Sequence, residues 1–198
     1  KQQLLLRRSA EAAARMQGLI EDLLAFTRVA QPVESFEHVE LETIVKEVWE
    51  FYGETVERIQ AGLEAGPLPD IRGIPFQLRQ LFLNLLGNSI KYRSPERQLR
   101  IRIMTSIVAD MPGTPPSEET TQPPQFYKLS IADNGIGFEP EQAEKIFEMF
   151  HRLHRRDQYP GTGIGLAICR KVMDCHKGYI VGHGVPDGGA TFECYFPV

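Results

Sequence analysis

Residues 77–92, Gln77-Leu-Arg-Gln-Leu-Phe-Leu-Asn-Leu-Leu-Gly-Asn-Ser-Ile-Lys-Tyr92, carry two stripes that one helix has to serve. Leu78, Leu81, Phe82, Leu85 and Ile90 recur at helical spacing and predict an apolar face. Asn84, Asn88 and Lys91 recur at i, i+4 and i+7 and line a second face, with Tyr92 beside it. Two amides on a mostly apolar helix cost free energy unless something satisfies them. A backbone neighbour would do so, and so would a metal, a phosphate or a nucleotide. Pro75 sits in the first turn of this helix, where its missing N–H costs nothing.

Upstream, residues 1–30 form an amphipathic helix. Leu5, Ser9, Ala12, Met16, Leu19, Leu23, Phe26 and Ala30 fall on alternating spacings of four and three, and Ile20 and Leu24 widen the stripe. Such a helix needs a bundle or a dimer to bury that face, or else its own domain. Gln31-Pro32 ends it. Residues 36–41 predict a short strand, and residues 42–59 one further helix with Ile44, Val45, Val48, Tyr52 and Val56 inward.

Downstream, Leu99, Ile101 and Ile103 alternate with Arg100 and Arg102, so residues 99–108 predict a strand with one wet face. Residues 126–132 predict its antiparallel neighbour. The connection 110–125, with five prolines, predicts a mobile loop. Residues 142–150 predict a short helix and residues 163–176 a longer one. Residues 179–184 and 190–196 predict a hairpin across Pro186-Asp187-Gly188-Gly189. The sum is an α+β two-layer sandwich, a mixed, largely antiparallel sheet covered on one face by helices.

With 198 residues, 42% of them hydrophobic, the chain suits one domain with an appendage. A net charge of −4 argues against a nucleic-acid partner. Cys169, Cys175 and Cys194 lack metal-site spacing and read as buried thiols in a reducing, cytoplasmic setting. No apolar run approaches the roughly 20 residues of a membrane span. The sequence opens at Lys1 in mid-helix pattern, which leads us to expect further chain upstream.

Three segments carry chemistry. Asp133 closes a strand and precedes Gly135 and Gly137. A carboxylate there can accept from an exocyclic amine while glycines let the backbone approach a ring, although Asp-Asn-Gly is also an ordinary turn. Gly161-Thr162-Gly163-Ile164-Gly165-Leu166 opens a helix, whose free N–H groups and positive end attract phosphate; a glycine hinge without ligand is the other reading. It follows no strand and lacks the Lys-Ser/Thr of a P-loop, so neither common phosphate fingerprint applies. His151, Arg152, His154, Arg155 and Arg156 crowd the segment before it; a run of this kind is usually a solvated face.

Taken in order, Asn84/Asn88/Lys91, Asp133-x-Gly135-x-Gly137, Phe147-Glu-Met-Phe150 and Gly161-x-Gly163-x-Gly165 resemble the ATP-binding domain of sensor histidine kinases. That fold is shared with gyrase, mismatch-repair and heat-shock chaperone ATPases. Asn88-Ser-Ile-Lys-Tyr-Arg93 and residues 150–166 are most similar to the phytochrome-like branch. Residues 15–29 look like the second helix of the kinase dimerisation hairpin. The resemblance implies ATP and Mg²⁺ as ligands, with Asn88 on the metal and Asn84 on its water or the phosphates. It implies Lys91 on phosphate, Tyr92 at the nucleotide edge and Asp133 on the adenine amino group. Gly135 and Gly137 would shape the pocket floor. Residues 139–162 would form a short lid anchored by Phe147 and Phe150, closed and ordered even without nucleotide. Arg152 would reach the γ-phosphate, and Gly161, Thr162, Gly163, Gly165 and Leu166 would admit the triphosphate.

The division implied is a dimerisation helix at 1–30, a linker and strand at 31–41 and an ATP-binding domain at 42–198. The partners implied are a response-regulator receiver domain, a second copy through the helix bundle and an upstream sensor domain. The reaction implied is γ-phosphoryl transfer to a histidine. This sequence departs from the family in having no acidic-flanked His on residues 1–30. His38, His151, His154 and His176 read as structural or solvent-facing, so the acceptor is expected upstream. A serine kinase of the same fold and a non-catalytic, ATP-gated dimer scaffold are the alternatives. A conformational ATPase is disfavoured, because hydrolytic relatives carry an acid where Asn84 stands.

Overall fold

The structure is a computed structural model and describes residues 2–30, 35–112, 125–153, 159 and 161–198; for residues 2–8, 11, 14, 15 and 30 it describes the backbone alone. The expectations on residues 113–124, on His154, Arg155 and Arg156, and on the side chains of Leu5 and Ala30 lie outside the described residues.

The elements run α1 (Gln2–Ala30), β1 (Glu37–Glu40), α2 (Leu41–Phe51), α3 (Gly53–Ile59), β2 (Gly62–Ala65), β3 (Asp70–Gly73), α4 (Pro75–Lys91), β4 (Arg100–Val108), β5 (Phe126–Asp133), α5 (Gly165–Cys175), β6 (Tyr179–Val185) and β7 (Gly189–Pro197). The main sheet has the order β2-β4-β5-β7-β6, parallel only between β2 and β4, while β1 and β3 form a separate antiparallel pair. This is the mixed, largely antiparallel sheet expected.

Strand alternation explains the layering. Ile101 and Ile103 of β4, Leu129 and Ile131 of β5, and Phe192, Cys194 and Phe196 of β7 are buried, whereas Arg100, Arg102 and Met104 face out. Against the buried face lies the apolar side of α4, with Leu78, Leu81, Phe82, Leu85 and Leu86 all fully buried. Ile168, Cys169, Val172 and Met173 of α5 complete the core, and α2 packs on α4. Cys169 and Cys194 are buried free thiols, and desolvation pushes both well up from the ordinary thiol range.

Two expectations are corrected. The single helix over 42–59 is broken at Tyr52, whose hydroxyl donates to Leu83 O at 3.0 Å. Gly87 gives that ring its room, since a Cβ there would lie 2.5 Å from the phenolic oxygen. The short helix over 142–150 is instead two single 3₁₀ turns, Pro140–Gln142 and Lys145–Phe147. Glu141-Gln-Ala-Glu-Lys145 are good helix formers, so propensity does not forbid a helix here; the burial of Ile146 and Phe147 against the domain accompanies the shorter turns.

The end of α1 is pinned to the domain. Val29 is 1% exposed, and its carbonyl accepts from Gln77 Nε2 at 3.1 Å and from Cys175 Sγ at 3.5 Å. The Arg28 guanidinium lies 3.8 Å from the centre of the Phe76 ring. Met16, Ile20, Leu23 and Leu24 stay exposed.

His176 locks α5 to the start of α4. Its Nδ1 bonds Val172 O at 2.8 Å, which leaves Nε2 to accept the Ile74 N–H at 3.0 Å. It is thus the structural histidine expected. Burial lowers its pKa from 6.5, so the folded protein takes up this proton less readily than the unfolded chain. Stability from this group is complete above pH 6.5 and falls as pH drops below it. His176→Ala orphans a buried N–H and should cost about 1–3 kcal/mol. In thermal melts the gap between wild type and variant should narrow between about pH 7 and about pH 5.

Candidate functional site

Asp133 occupies the inward position that follows Leu129 and Ile131, so β5 itself turns its carboxylate toward the helix layer. Three donors meet it. Ser89, 1% exposed on α4, donates to Oδ2 at 2.9 Å; the Gly135 and Ala190 N–H groups donate to Oδ1 at 2.8 and 3.3 Å. Burial pushes the carboxyl pKa up, and those bonds together with the Arg97 charge pull it back.

A pocket opens beside this carboxylate. It is lined by Asn88 and Tyr92 of α4, by Asp133, Gly137, Phe138 and Ile146, by His151 and Arg152, and by Leu166 and Phe192. The pocket floor is backbone. A Cβ on Gly135 would lie 2.5 Å from Tyr92 O, whose oxygen also accepts the Ile136 N–H at 2.9 Å. Gly137, at φ +65°, abuts the β6–β7 turn, where a Cβ would come within 2.0 Å of Val185 O. Gly182 and Gly184 take inward positions of β6 and leave room for the Phe138 ring.

The glycines at 161–165 close on the same helix. A Cβ on Gly161 would fall 2.4 Å from Lys91 Nζ, and one on Gly165 would fall 2.8 Å from Asn84 Oδ1. Asn84 Nδ2 donates to Gln80 O at 2.9 Å, so its amide oxygen remains the outward acceptor. Lys91 Nζ lies 4.4 Å from the Tyr92 ring centre, and that ring meets Tyr159 at 5.1 Å. The Thr162 hydroxyl donates to the Asp22 carboxylate of α1 and lies 3.4 Å from the Ile164 N–H. Arg152 donates to the carbonyls of Tyr159 and Gly161, which folds it back on its own segment.

Phe147 is 3% exposed and packs edge-on against Phe192, with Arg170 over its other side at 4.4 Å. Phe150 does not anchor in this way. It is 60% exposed at φ +64°, and its backbone N–H, not its ring, makes the tie to Gly163 O at 2.9 Å. His151 was expected to be structural or solvent-facing, yet it is half-buried in the pocket wall, with Nε2 buried and lacking a partner among the described residues.

Sequence reasoning missed Ser89, Phe138, Ile146 and Phe192. Ser89 had a faint signal, since it falls on the apolar stripe of α4 one turn beyond Leu85 and Leu86. The other three announce themselves only through the folded geometry.

The donor set suits a hard cation shared with phosphates. No cluster of three or more His, Cys, Asp or Glu is present among the described residues, and Asn88 offers one amide oxygen. An ion bound there would take its other ligands from phosphate oxygens and water, as Mg²⁺ readily does. The gap between Gly161 and Lys91 is a cradle that a Cβ would fill.

Residues 73–198 match the family described as histidine kinase-, DNA gyrase B-, and HSP90-like ATPase. The chain is 35% identical over 190 residues to cyanobacterial phytochrome A of Nostoc sp., covering 96% of this chain and 23% of that protein. Full-length ShkA, solved in complex with AMPPNP, superposes with a TM-score of 0.68 at 26% identity, covering 96% of this chain and 38% of that one. Histidine kinase ThkA, solved in complex with response regulator protein TrrA, superposes with a TM-score of 0.67 at 20% identity, covering 95% and 48%. The chain thus spans less than a quarter of its cyanobacterial relative.

Close backbone approach gives the site a test. Gly137→Ala should lower stability by more than about 1–2 kcal/mol, through left-handed strain plus the Val185 clash. Gly53→Ala, in a helix with nothing within 4 Å of the new methyl, should be neutral or stabilising. In thermal melts Gly137→Ala should lower the midpoint and Gly53→Ala should not.

Proposed function

The chain belongs to the histidine kinase-, DNA gyrase B-, and HSP90-like ATPase family, and from that premise we propose that it is the ATP-binding catalytic part of a two-component sensor histidine kinase. The observation that carries this reading is the convergence of Asn88, Tyr92, Asp133 and Gly137 on one pocket, with Leu166, the residue after the glycines at 161–165, in its wall.

In this reading Asp133 accepts the amino hydrogen of adenine, and Gly135 and Gly137 let the base lie against backbone. Tyr92 borders the nucleotide. Asn88 holds Mg²⁺ through its amide oxygen, with Asn84 on metal-bound water or phosphate, and the metal supplies charge neutralisation when bound. Lys91 is poised beside Gly161 to meet phosphate. Arg152 leaves the Tyr159 and Gly161 carbonyls to reach the γ-phosphate. Gly161, Thr162, Gly163, Gly165 and Leu166 shape the triphosphate entry, and residues 139–162 act as the lid, with Phe147 as its buried anchor. Transfer breaks the bond from the γ-phosphorus to the ADP oxygen and forms a bond to a neutral histidine nitrogen. ADP leaves with the electron pair, and the other ring nitrogen gives up its proton.

The acceptor is proposed to precede Lys1. His176 is locked in the core, His151 stands in the pocket wall, and His38 and His183 lie exposed on strands. Asn84 disfavours hydrolysis, because an amide cannot take a proton from water. Residues 1–30 are proposed as a dimerisation helix through the exposed Met16, Ile20, Leu23 and Leu24. A response-regulator receiver domain is the proposed next acceptor, as the ThkA complex with TrrA suggests for a chain of this fold.

Asn88→Asp and Asp133→Asn should each abolish measurable ATP binding by calorimetry while leaving the far-UV circular dichroism unchanged. With labelled ATP and Mg²⁺, residues 1–198 should acquire no acid-labile label; label on this chain alone would overturn the upstream acceptor. Ile20→Glu with Leu24→Glu should shift a concentration-dependent dimer to monomer in light scattering.

A further inference from the structure

Arg97 belongs to none of the motifs, and lies in the connection between α4 and β4. It is half-buried, and its guanidinium spends its donors on three carbonyls. Nε donates to Asn134 O, and one terminal nitrogen donates to Gly135 O and Asp187 O, each at 2.6 Å. The first of these contacts has a chemical consequence. The Asn134 carbonyl and the Gly135 N–H are the two ends of one peptide unit, and that N–H is the 2.8 Å donor to Asp133 Oδ1. A cation therefore sits at the oxygen end of a peptide whose hydrogen end faces a half-buried carboxylate. A charge-assisted bond at one end of an amide polarises it and strengthens the bond at the other.

We propose that Arg97 is the positioning residue of the base-recognition site, holding Asp133 as an oriented acceptor through the 134–135 peptide. Its third bond serves the same end. Asp187 lies in the β6–β7 turn, and its own N–H bonds Ile136 O at 2.7 Å, so one guanidinium sets both the loop after Asp133 and the turn against Gly137. The Arg97 charge opposes the desolvation of Asp133, alongside Ser89 from α4, Ala190 from β7 and Gly135 from the loop itself. Asn134 adds stitches that any loop closure would need, donating to Gln98 O and accepting from the Arg100 N–H. Those bonds fix the loop without charge, which leaves the guanidinium its electrostatic part.

This inference rests on the reading that Asp133 takes the amino group of adenine. The test compares wild type with Arg97→Gln, which keeps neutral donors, and Arg97→Lys, which keeps the charge. Each is titrated with ATP and with the purine ribonucleoside triphosphate that lacks the 6-amino group, and the Asp133 carboxyl is followed by ¹³C NMR across pH. Arg97→Gln should weaken ATP about tenfold and raise the Asp133 midpoint. The same variant should weaken the amino-free analogue by less than about threefold, and Arg97→Lys should recover most of the loss. Equal losses for both nucleotides, with an unmoved Asp133 midpoint, would reduce Arg97 to a loop tie and overturn the proposal. If wild type fails to prefer ATP over the analogue, the adenine reading itself has failed. The carboxyl titration then still decides whether Arg97 acts on Asp133: a raised midpoint sustains the coupling, and an unmoved one ends it.

Discussion

A carboxylate at an inward strand position is the constraint on which the rest of the molecule depends. Leu129 and Ile131 point into the helix layer because their strand alternates, and Asp133 must follow them. Leaving that half-buried charge without donors would be costly. Its donors therefore come from three separate elements: a serine from α4, an N–H from its own loop and an N–H from β7. Each donor is also a restraint. Ser89 sets how α4 rotates and how closely it approaches. Gly135 sets the turn, and Ala190 fixes β7 at the register where it faces Asp133.

Backbone proximity follows from the same requirement. A Cβ on Gly189, at φ +103°, would lie 2.0 Å from Asp133 O, so only a residue without one permits the β7 strand to start there. The floor of the pocket is consequently made of peptide groups, which do not change with side-chain rotamer. Recognition of a flat, polar-edged ligand gains from such a surface, because little conformational entropy remains to be lost on binding.

Much of this was legible in the sequence, and the reasons differ by residue. The two stripes of α4 were visible because helix periodicity is local, and the β4 and β5 strands because alternation is local. Asp133 and the two glycine segments were visible because their residue types are unusual after a strand or before a helix. What stayed hidden depends on distant partners. The seat of the Tyr52 ring, at the break, needs the room left by Gly87, far along the chain. Arg97 looks like one more surface arginine until three carbonyls from two other segments converge on it. Phe150 reads as a buried anchor by its hydrophobicity, yet only its backbone is held.

The first helix shows how a correct pattern can still merge two faces. Successive residues on a helix point about 100° apart. Asp22, Ala25, Phe26 and Val29 form one stripe, half-buried to buried against the domain. Met16, Ile20 and Leu23 form another, roughly a third of a turn away and exposed. The heptad spacing drew Phe26 into the exposed stripe because it is apolar, although its contacts are with the core. The separation matters physically, since a helix docked through one stripe keeps the other available. The docked stripe is itself uneven. Val29 is sealed between Gln77 and Cys175, whereas Asp22 accepts from the Thr162 hydroxyl. About seven residues of helix, some 10 Å, separate this buried pivot from the polar tie to the glycine-rich loop. Any swing of α1 about Val29 would change the separation of Asp22 and Thr162, so the helix and the glycine-rich loop are mechanically linked through that bond.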